Sequence, residues 1–114
     1  MSQRQIDVIP HTSAATRERL RGHTLVVVDT LRATSTIAAL LDRGVAAVYP
    51  VPTVGEAEVL RSALGPGALL CGERGGLPPV GFDCGNSPVE IERIDLEART
   101  AVLTTSNGTL ALQA

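Results

Sequence analysis

Leu25-Val26-Val27-Val28-Asp29-Thr30-Leu31-Arg32-Ala33-Thr34-Ser35-Thr36 decides how the rest of the chain is read. Four apolar residues, three of them β-branched, stop at an acid, and an arginine and three consecutive hydroxyl residues then open a helical pattern. The run predicts a buried, central parallel strand with Asp29 at its carboxyl end. The unpaired amides of the following helix then face whatever Asp29 faces.

Downstream, a helix is predicted from Thr34 or Ser35 through Ile37, Leu40 and Leu41, ending at Arg43-Gly44 with the glycine as its C-cap. The next apolar run, 45–51, is closed by Pro50 and Pro52. Thr53-Val54-Gly55-Glu56 has the form of a capping box for a second helix that reaches Leu64. Ala68-Leu69-Leu70-Cys71 is a short buried strand that stops at Glu73-Arg74, repeating the pattern of the first stretch. A glycine- and proline-rich loop over 72–86 carries Glu73, Arg74, Asp83 and Asn86, and loops of this length inside a domain are commonly functional. Ser87-Pro88-Val89-Glu90 supplies an N-cap, an N1 proline and a capping glutamate for a short helix through Ile91 and Arg93. Thr100-Ala101-Val102-Leu103-Thr104 is a further strand that leads into Thr105-Ser106-Asn107-Gly108-Thr109 and the start of another helix. Upstream, residues 6–9 are expected to form a short edge strand before Pro10, and residues 12–20 a short helix closed by Gly22.

This alternation predicts one α/β domain over residues 1–114, three-layered with a mostly parallel sheet, and ligands at the carboxyl ends of its strands. Neighbouring strand ends lie about 5 Å apart, so Asp29, Glu73 and the turn from Thr104 to Asn107 meet if their strands are adjacent.

Composition narrows the partners. The chain has 114 residues, 44% hydrophobic but only 2% aromatic, so the core is built from aliphatic residues and no base-stacking surface is expected. The net charge of −2, without long charge runs, argues against a nucleic-acid backbone as partner. All 10 basic residues are arginine, which excludes a Walker or Schiff-base lysine and leaves guanidinium forks as the fixed cations for oxyanions. Two cysteines, no signal-like N-terminus and no long apolar run predict a reduced, cytoplasmic protein with no membrane role.

Asp29 is read as a metal ligand or a nucleophile, against the simpler task of capping the next turn. A haloacid-dehalogenase-type phosphatase needs a second acid at position 31, where Leu31 stands. Thr34, Ser35 and Thr36 exceed what capping alone requires, and together with Arg32 they point to an oxyanion. Cys71 does not begin a cysteine-phosphatase loop, because Leu77 occupies the position where that chemistry needs arginine. It is read as a buried structural thiol. Cys84 lacks the further soft ligands a structural zinc requires. Glu73-Arg74-Gly75-Gly76 places an acid and a guanidinium where glycines admit close approach of a ligand. Two carboxylates, Asp29 and Glu73, suit a hard cation such as Mg²⁺ better than zinc. His11 and His23 lie outside every cluster.

The stretches 28–36, Cys71-Gly72-Glu73-Arg74-Gly75-Gly76, Gly81-Phe82-Asp83-Cys84-Gly85-Asn86-Ser87-Pro88 and Thr104-Thr105-Ser106-Asn107-Gly108-Thr109 resemble, in order, the motifs of the 2-phosphosulfolactate phosphatase family. The resemblance runs from about Ile6 to the end of the chain, whereas family members continue into a second α/β portion. It therefore implies the N-terminal half of a larger α/β phosphatase fold. It implies Mg²⁺-dependent hydrolysis of 2-phosphosulfolactate to sulfolactate and phosphate, a step of coenzyme M biosynthesis, and implicates Asp29, Arg32, Thr34, Ser35, Glu73, Arg74, Asn86, Ser87, Thr105, Ser106 and Asn107. On this reading Asp29 and Glu73 hold the metal, Glu73 and Arg74 join Asp29 in catalysis, and Arg32 with the hydroxyl and amide groups binds a small phosphorylated, sulfonated hydroxy acid. An aspartyl-phosphate on Asp29 is a variant of the same chemistry. Three other readings stand beside it: a phosphatase for another phosphorylated hydroxy acid, a non-catalytic oxyanion-binding or assembly module, and a homo-oligomer that covers apolar surface.

Overall fold

The computed structural model describes residues 3–14 and 17–113. Its centre is a parallel sheet of three strands, β1 (Ala47–Pro50), β2 (Leu69–Gly72) and β3 (Thr100–Thr104), in the order β1-β3-β2. The register pairs Val48 with Ala101 and Tyr49 with Val102 on one side of β3, and Leu70 with Val102 and Gly72 with Thr104 on the other.

Alternation along β2 and β3 builds two cores. Leu69, Cys71, Ala101 and Leu103 face one way, onto Leu40 of α2 (Ala33–Asp42) and Ile91 of α4 (Pro88–Ile91). Leu70 and Val102 face the other way, onto Ala57 of α3 (Val54–Leu64). Helices therefore cover both faces of the sheet, which is the predicted three-layer α/β arrangement. It also explains why β3 reads as an unbroken apolar run. No described helix is long and apolar enough to cross a membrane.

Several local expectations match closely. The Thr53 side chain accepts from the Glu56 amide at 3.1 Å, starting α3 as its capping box predicts. The α2 helix closes at Arg43 before Gly44, whose φ of 89° suits glycine. The fourth helix has Pro88 at its first turn, but Glu90 reaches past Ser87 to the Gly85 amide at 2.7 Å. The last helix, α5, spans Gly108–Gln113.

The N-terminal third departs from expectation. Residues 6–9 form no strand, and of the helix expected over 12–20 the described residues show a 3₁₀ turn at Thr12–Ala14 and helix α1 (Arg17–Leu20). Residues 15 and 16, within that expected helix, lie outside the described residues.

The larger correction concerns residues 25–28, expected as the buried central strand. They join no strand of the sheet, and among the described residues 24–28 make no backbone hydrogen bond. Val26 is 83% and Val28 78% exposed. Propensity sets how a segment is shaped, but a strand also needs a partner to hydrogen-bond, and this segment pairs with none of the described strands. The molecule is elongated, with principal extents of 49 × 27 × 25 Å and a radius of gyration of 15.2 Å. A compact chain of this length would have about 13 Å.

Candidate functional site

The sheet order places the carboxyl ends of β2 and β3 side by side, so the residues that follow each strand meet. The Glu73 carboxylate accepts from the Ser106 amide at 2.7 Å, the Ser106 hydroxyl at 3.1 Å and the Gly76 amide at 2.9 Å. One acid thus ties the turn after β3 to the loop after β2.

Burial alone pushes the Glu73 carboxyl up, but the Ser106 and Gly76 amides, the Ser106 hydroxyl and the Arg74 charge outweigh it and hold the group below its ordinary 4.5. Since the folded pKa lies below the unfolded one, this clamp stabilises the fold above about pH 4.5, and the contribution is lost as pH falls through the depressed folded value. Thermal melts of wild type and Glu73→Gln between neutral pH and pH 3 should therefore converge as the pH falls. Curves that stay parallel would show that Glu73 carries none of this dependence.

Asp29 reaches the same place by another route. Its amide donates to the Thr34 hydroxyl at 3.1 Å, and its carbonyl accepts from the Thr34 amide at 3.1 Å. The reciprocal pair folds residues 29–34 into the turn that starts α2. The Asp29 carboxylate hydrogen-bonds no described residue. It lies against the first residue of α5, with Oδ2 2.8 Å from where a Cβ on Gly108 would stand. Only glycine leaves that room, because the same Cβ would also run into Ala33.

Between these groups lies a cleft of about 530 Å³. Asp29 and Arg32 form one wall, Glu73 with Gly75 and Gly76 a second, and Thr105, Ser106, Asn107 and Gly108 a third; Asn86 also lines it. Seven of the eleven residues singled out in the sequence line this cleft. Asn86 is only 5% exposed, and its Oδ1 is buried with no hydrogen-bond partner among the described residues. A sealed acceptor of this kind is costly to leave unpaired, so a donor or cation beside it would be stabilising.

The other four are placed elsewhere. Arg74 points away from the cleft, donating to the carbonyls of Glu73 at 2.7 Å and Pro52 at 2.8 Å and to the Thr104 hydroxyl at 2.6 Å. It braces the ends of all three strands. The Thr34 hydroxyl serves Asp29, and Ser35 donates to the Thr30 carbonyl at 2.8 Å, so both hold the turn before α2. Ser87 precedes α4 and makes no side-chain cap bond. Thr105 is buried and exchanges hydrogen bonds with Thr109, each hydroxyl accepting the other's amide at 3.1 Å, which fixes the entry to α5. Sequence reasoning missed the spacing task of Gly108 and the lining by Val27, Leu31 and Ala111. The asparagine-glycine pair after β3 was the available signal for Gly108.

Comparison with known proteins agrees with the motifs. The family model described as 2-phosphosulpholactate phosphatase matches residues 10–114. A probable 2-phosphosulfolactate phosphatase of Thermotoga petrophila is 48% identical over 90 residues, covering 79% of this chain and 38% of that protein. One of Clostridium acetobutylicum is 41% identical over 109 residues, covering 96% and 46% respectively. One of Deinococcus radiodurans is 46% identical over 86 residues, covering 75% and 35%. The chain thus spans less than half the length of these curated relatives.

Proposed function

The chain belongs to the 2-phosphosulpholactate phosphatase family, and on that premise we propose that its cleft binds 2-phosphosulfolactate. The whole protein then hydrolyses the phosphate ester to sulfolactate and phosphate, with Mg²⁺, as a cytoplasmic step of coenzyme M biosynthesis. The observation that carries the reading is the meeting of Asp29, Arg32, Glu73 and the Ser106 turn in one cleft at the carboxyl ends of parallel strands.

The donor set fits a hard cation. Asp29, Glu73 and Asn86 offer oxygen, and no cysteine or histidine lines the cleft. Asp29 is the acid with no described hydrogen bond, so it would be the direct ligand. Glu73 already accepts three hydrogen bonds and would contribute through water. Among the described residues no group of three His, Cys, Asp or Glu side chains assembles, so a magnesium ion would be held by one or two carboxylates, with water and substrate phosphate completing its shell. When bound, magnesium supplies charge neutralisation at the phosphoryl oxygens and a more acidic water.

The chain's own groups do the rest. Arg32 presents a guanidinium fork to the phosphate or the sulfonate. The Ser106 hydroxyl and the Asn107 and Asn86 amides are neutral donors for the remaining oxygens, and Glu73 holds the Ser106 turn in place. Phosphate release from 2-phosphosulfolactate, measured with and without Mg²⁺, is expected only with the metal. A folded protein that releases none, or does so equally well in chelator, would overturn the proposal. Trapping a phosphoaspartate would replace attack by water with attack by Asp29.

A second reading has its own observation. The exposed apolar face at Val26 and Val28 suits an assembly module that binds the oxyanion without turnover, and calorimetry showing phosphate binding with no release would favour it.

A further inference from the structure

Cys71 and Cys84 take no part in the cleft chemistry, yet they are placed as a pair. Cys71 lies in β2, which is an edge strand of the sheet. Its outer edge is covered by the segment 82–85. The Asp83 amide donates to the Leu70 carbonyl at 2.8 Å, the Leu70 amide to Asp83 Oδ2 at 2.8 Å, and the Gly72 amide to the Cys84 carbonyl at 3.2 Å. This docking makes Cys71 and Cys84 direct partners in a parallel bridge. Neighbouring strands lie about 4.8 Å apart, within the roughly 4.4–6.8 Å that the Cα atoms of a disulfide span. The two Sγ atoms are 2.6 Å apart, and both residues are free thiols.

We propose that Cys71 and Cys84 form a reversible intramolecular disulfide that staples the loop carrying Asn86 to β2, the strand that leads into Glu73. Cys84 is two residues before Asn86 and Cys71 two before Glu73, so the bond would lock two walls of the cleft to each other. Peroxide is the oxidant class small enough for so enclosed a pair, since Cys71 is 0% and Cys84 5% exposed.

The Cys84 thiolate attacks one peroxide oxygen, the O–O bond breaks, and hydroxide leaves, giving a sulfenic acid. The Cys71 sulfur then attacks the Cys84 sulfur, the S–O bond breaks, and water leaves as the disulfide forms. Overall two thiols and one hydrogen peroxide give one disulfide and two waters. Cys84 is the first to react because it keeps an accessible edge. The Cys71 thiol is pushed above its ordinary range by the Cys84 sulfur beside it and then by burial. A dithiol of this kind is compatible with a reducing compartment, where disulfides are transient and redox-sensing.

The test treats the folded chain with hydrogen peroxide, quenches with catalase, unfolds it in alkylating agent and counts modified thiols by intact mass. Two alkylated cysteines are expected before treatment and none after, in a species that stays monomeric on a non-reducing gel and regains two on reduction. In Cys84→Ser, Cys71 is expected to remain alkylatable after the same treatment. The proposal is overturned if both wild-type thiols survive peroxide that consumes free glutathione, or if the product is a sulfinic acid or an intermolecular dimer. Equal loss of Cys71 in Cys84→Ser would also overturn it. The wild-type thiol count decides the matter even where that variant fails to fold.

Discussion

Gly72→Ala is expected to destabilise the fold by about 4 kcal/mol, combining roughly 1–3 kcal/mol of backbone strain with roughly 1–3 kcal/mol of overpacking. Gly72 is the last residue of β2, and its φ of 149° is one that side chains rarely adopt. A Cβ there would overlap the Thr104 carbonyl oxygen and stand only 3.0 and 3.1 Å from the backbone carbon and nitrogen of the same residue. The obstacle is backbone in the central strand, so it cannot rotate aside. Relief would require β2 and β3 to separate at their carboxyl ends, breaking the bond from the Glu73 amide to the Thr104 carbonyl at 3.0 Å. The Glu73 clamp would go with it. For a domain whose total stability is about 5–15 kcal/mol, the loss should move the urea midpoint far below that of wild type. Gly55→Ala is the contrast: Gly55 lies inside α3 with nothing within 4 Å, and alanine there should stabilise by up to about 1 kcal/mol. If both variants unfold at the wild-type midpoint, the close approach of β2 to β3 is not as described.

Asp29→Asn should leave the fold in place and empty the cleft of its function. The structural work of Asp29 is done by its backbone, which exchanges hydrogen bonds with Thr34, and asparagine keeps both the backbone and the shape of the side chain. Its stability should therefore stay within about 0.5 kcal/mol of wild type. What disappears is a formal charge on a carboxylate with no described partner. Loss of one such charge beside a divalent ion should weaken magnesium binding by about tenfold to a hundredfold, or roughly 1.4–2.7 kcal/mol. Phosphate release should fall at least in proportion. Calorimetry with Mg²⁺ checks the first and a phosphate assay the second. Unchanged magnesium affinity in a folded Asp29→Asn chain would remove Asp29 from the metal site. Glu73→Gln differs in kind, because its carboxylate accepts three hydrogen bonds and an amide nitrogen cannot accept those of the Gly76 amide and Ser106 hydroxyl. That variant should lose stability and binding together.

Arg74 shows how far residue type misleads about task. A guanidinium beside an acid and two glycines reads as an anion site, yet all its described hydrogen bonds go to the protein's own oxygens. Thr34 and Ser35 repeat the lesson, since a hydroxyl run beside an arginine fits an oxyanion cradle or a helix start equally well from local chemistry. Their partners, Asp29 and Thr30, are each five residues away. Only the fold of the turn selects between the two.

Much of the molecule follows from short-range rules that a sequence carries openly. The Thr53 capping box, the unbroken apolar runs of β2 and β3, the prolines and glycines that punctuate the chain, and the polar residues at strand ends predict an α/β sheet with its chemistry at one edge. That is where the cleft lies. The neighbour of each strand is a different kind of fact. That β3 lies between β1 and β2, that residues 25–28 pair with none of the described strands, and that Glu73 clasps Ser106 33 positions away are matters of how distant segments meet. So is the seating of Cys84 against Cys71. Hydrogen bonds and close backbone approaches between distant segments depend on the whole packing at once, whereas periodicity and capping depend on four or five residues. For that reason the stretch from Leu25 to Thr36 was legible as an extended run ending in an acid and a helix start. Its lack of a strand partner and the company Asp29 keeps were decided by tertiary structure.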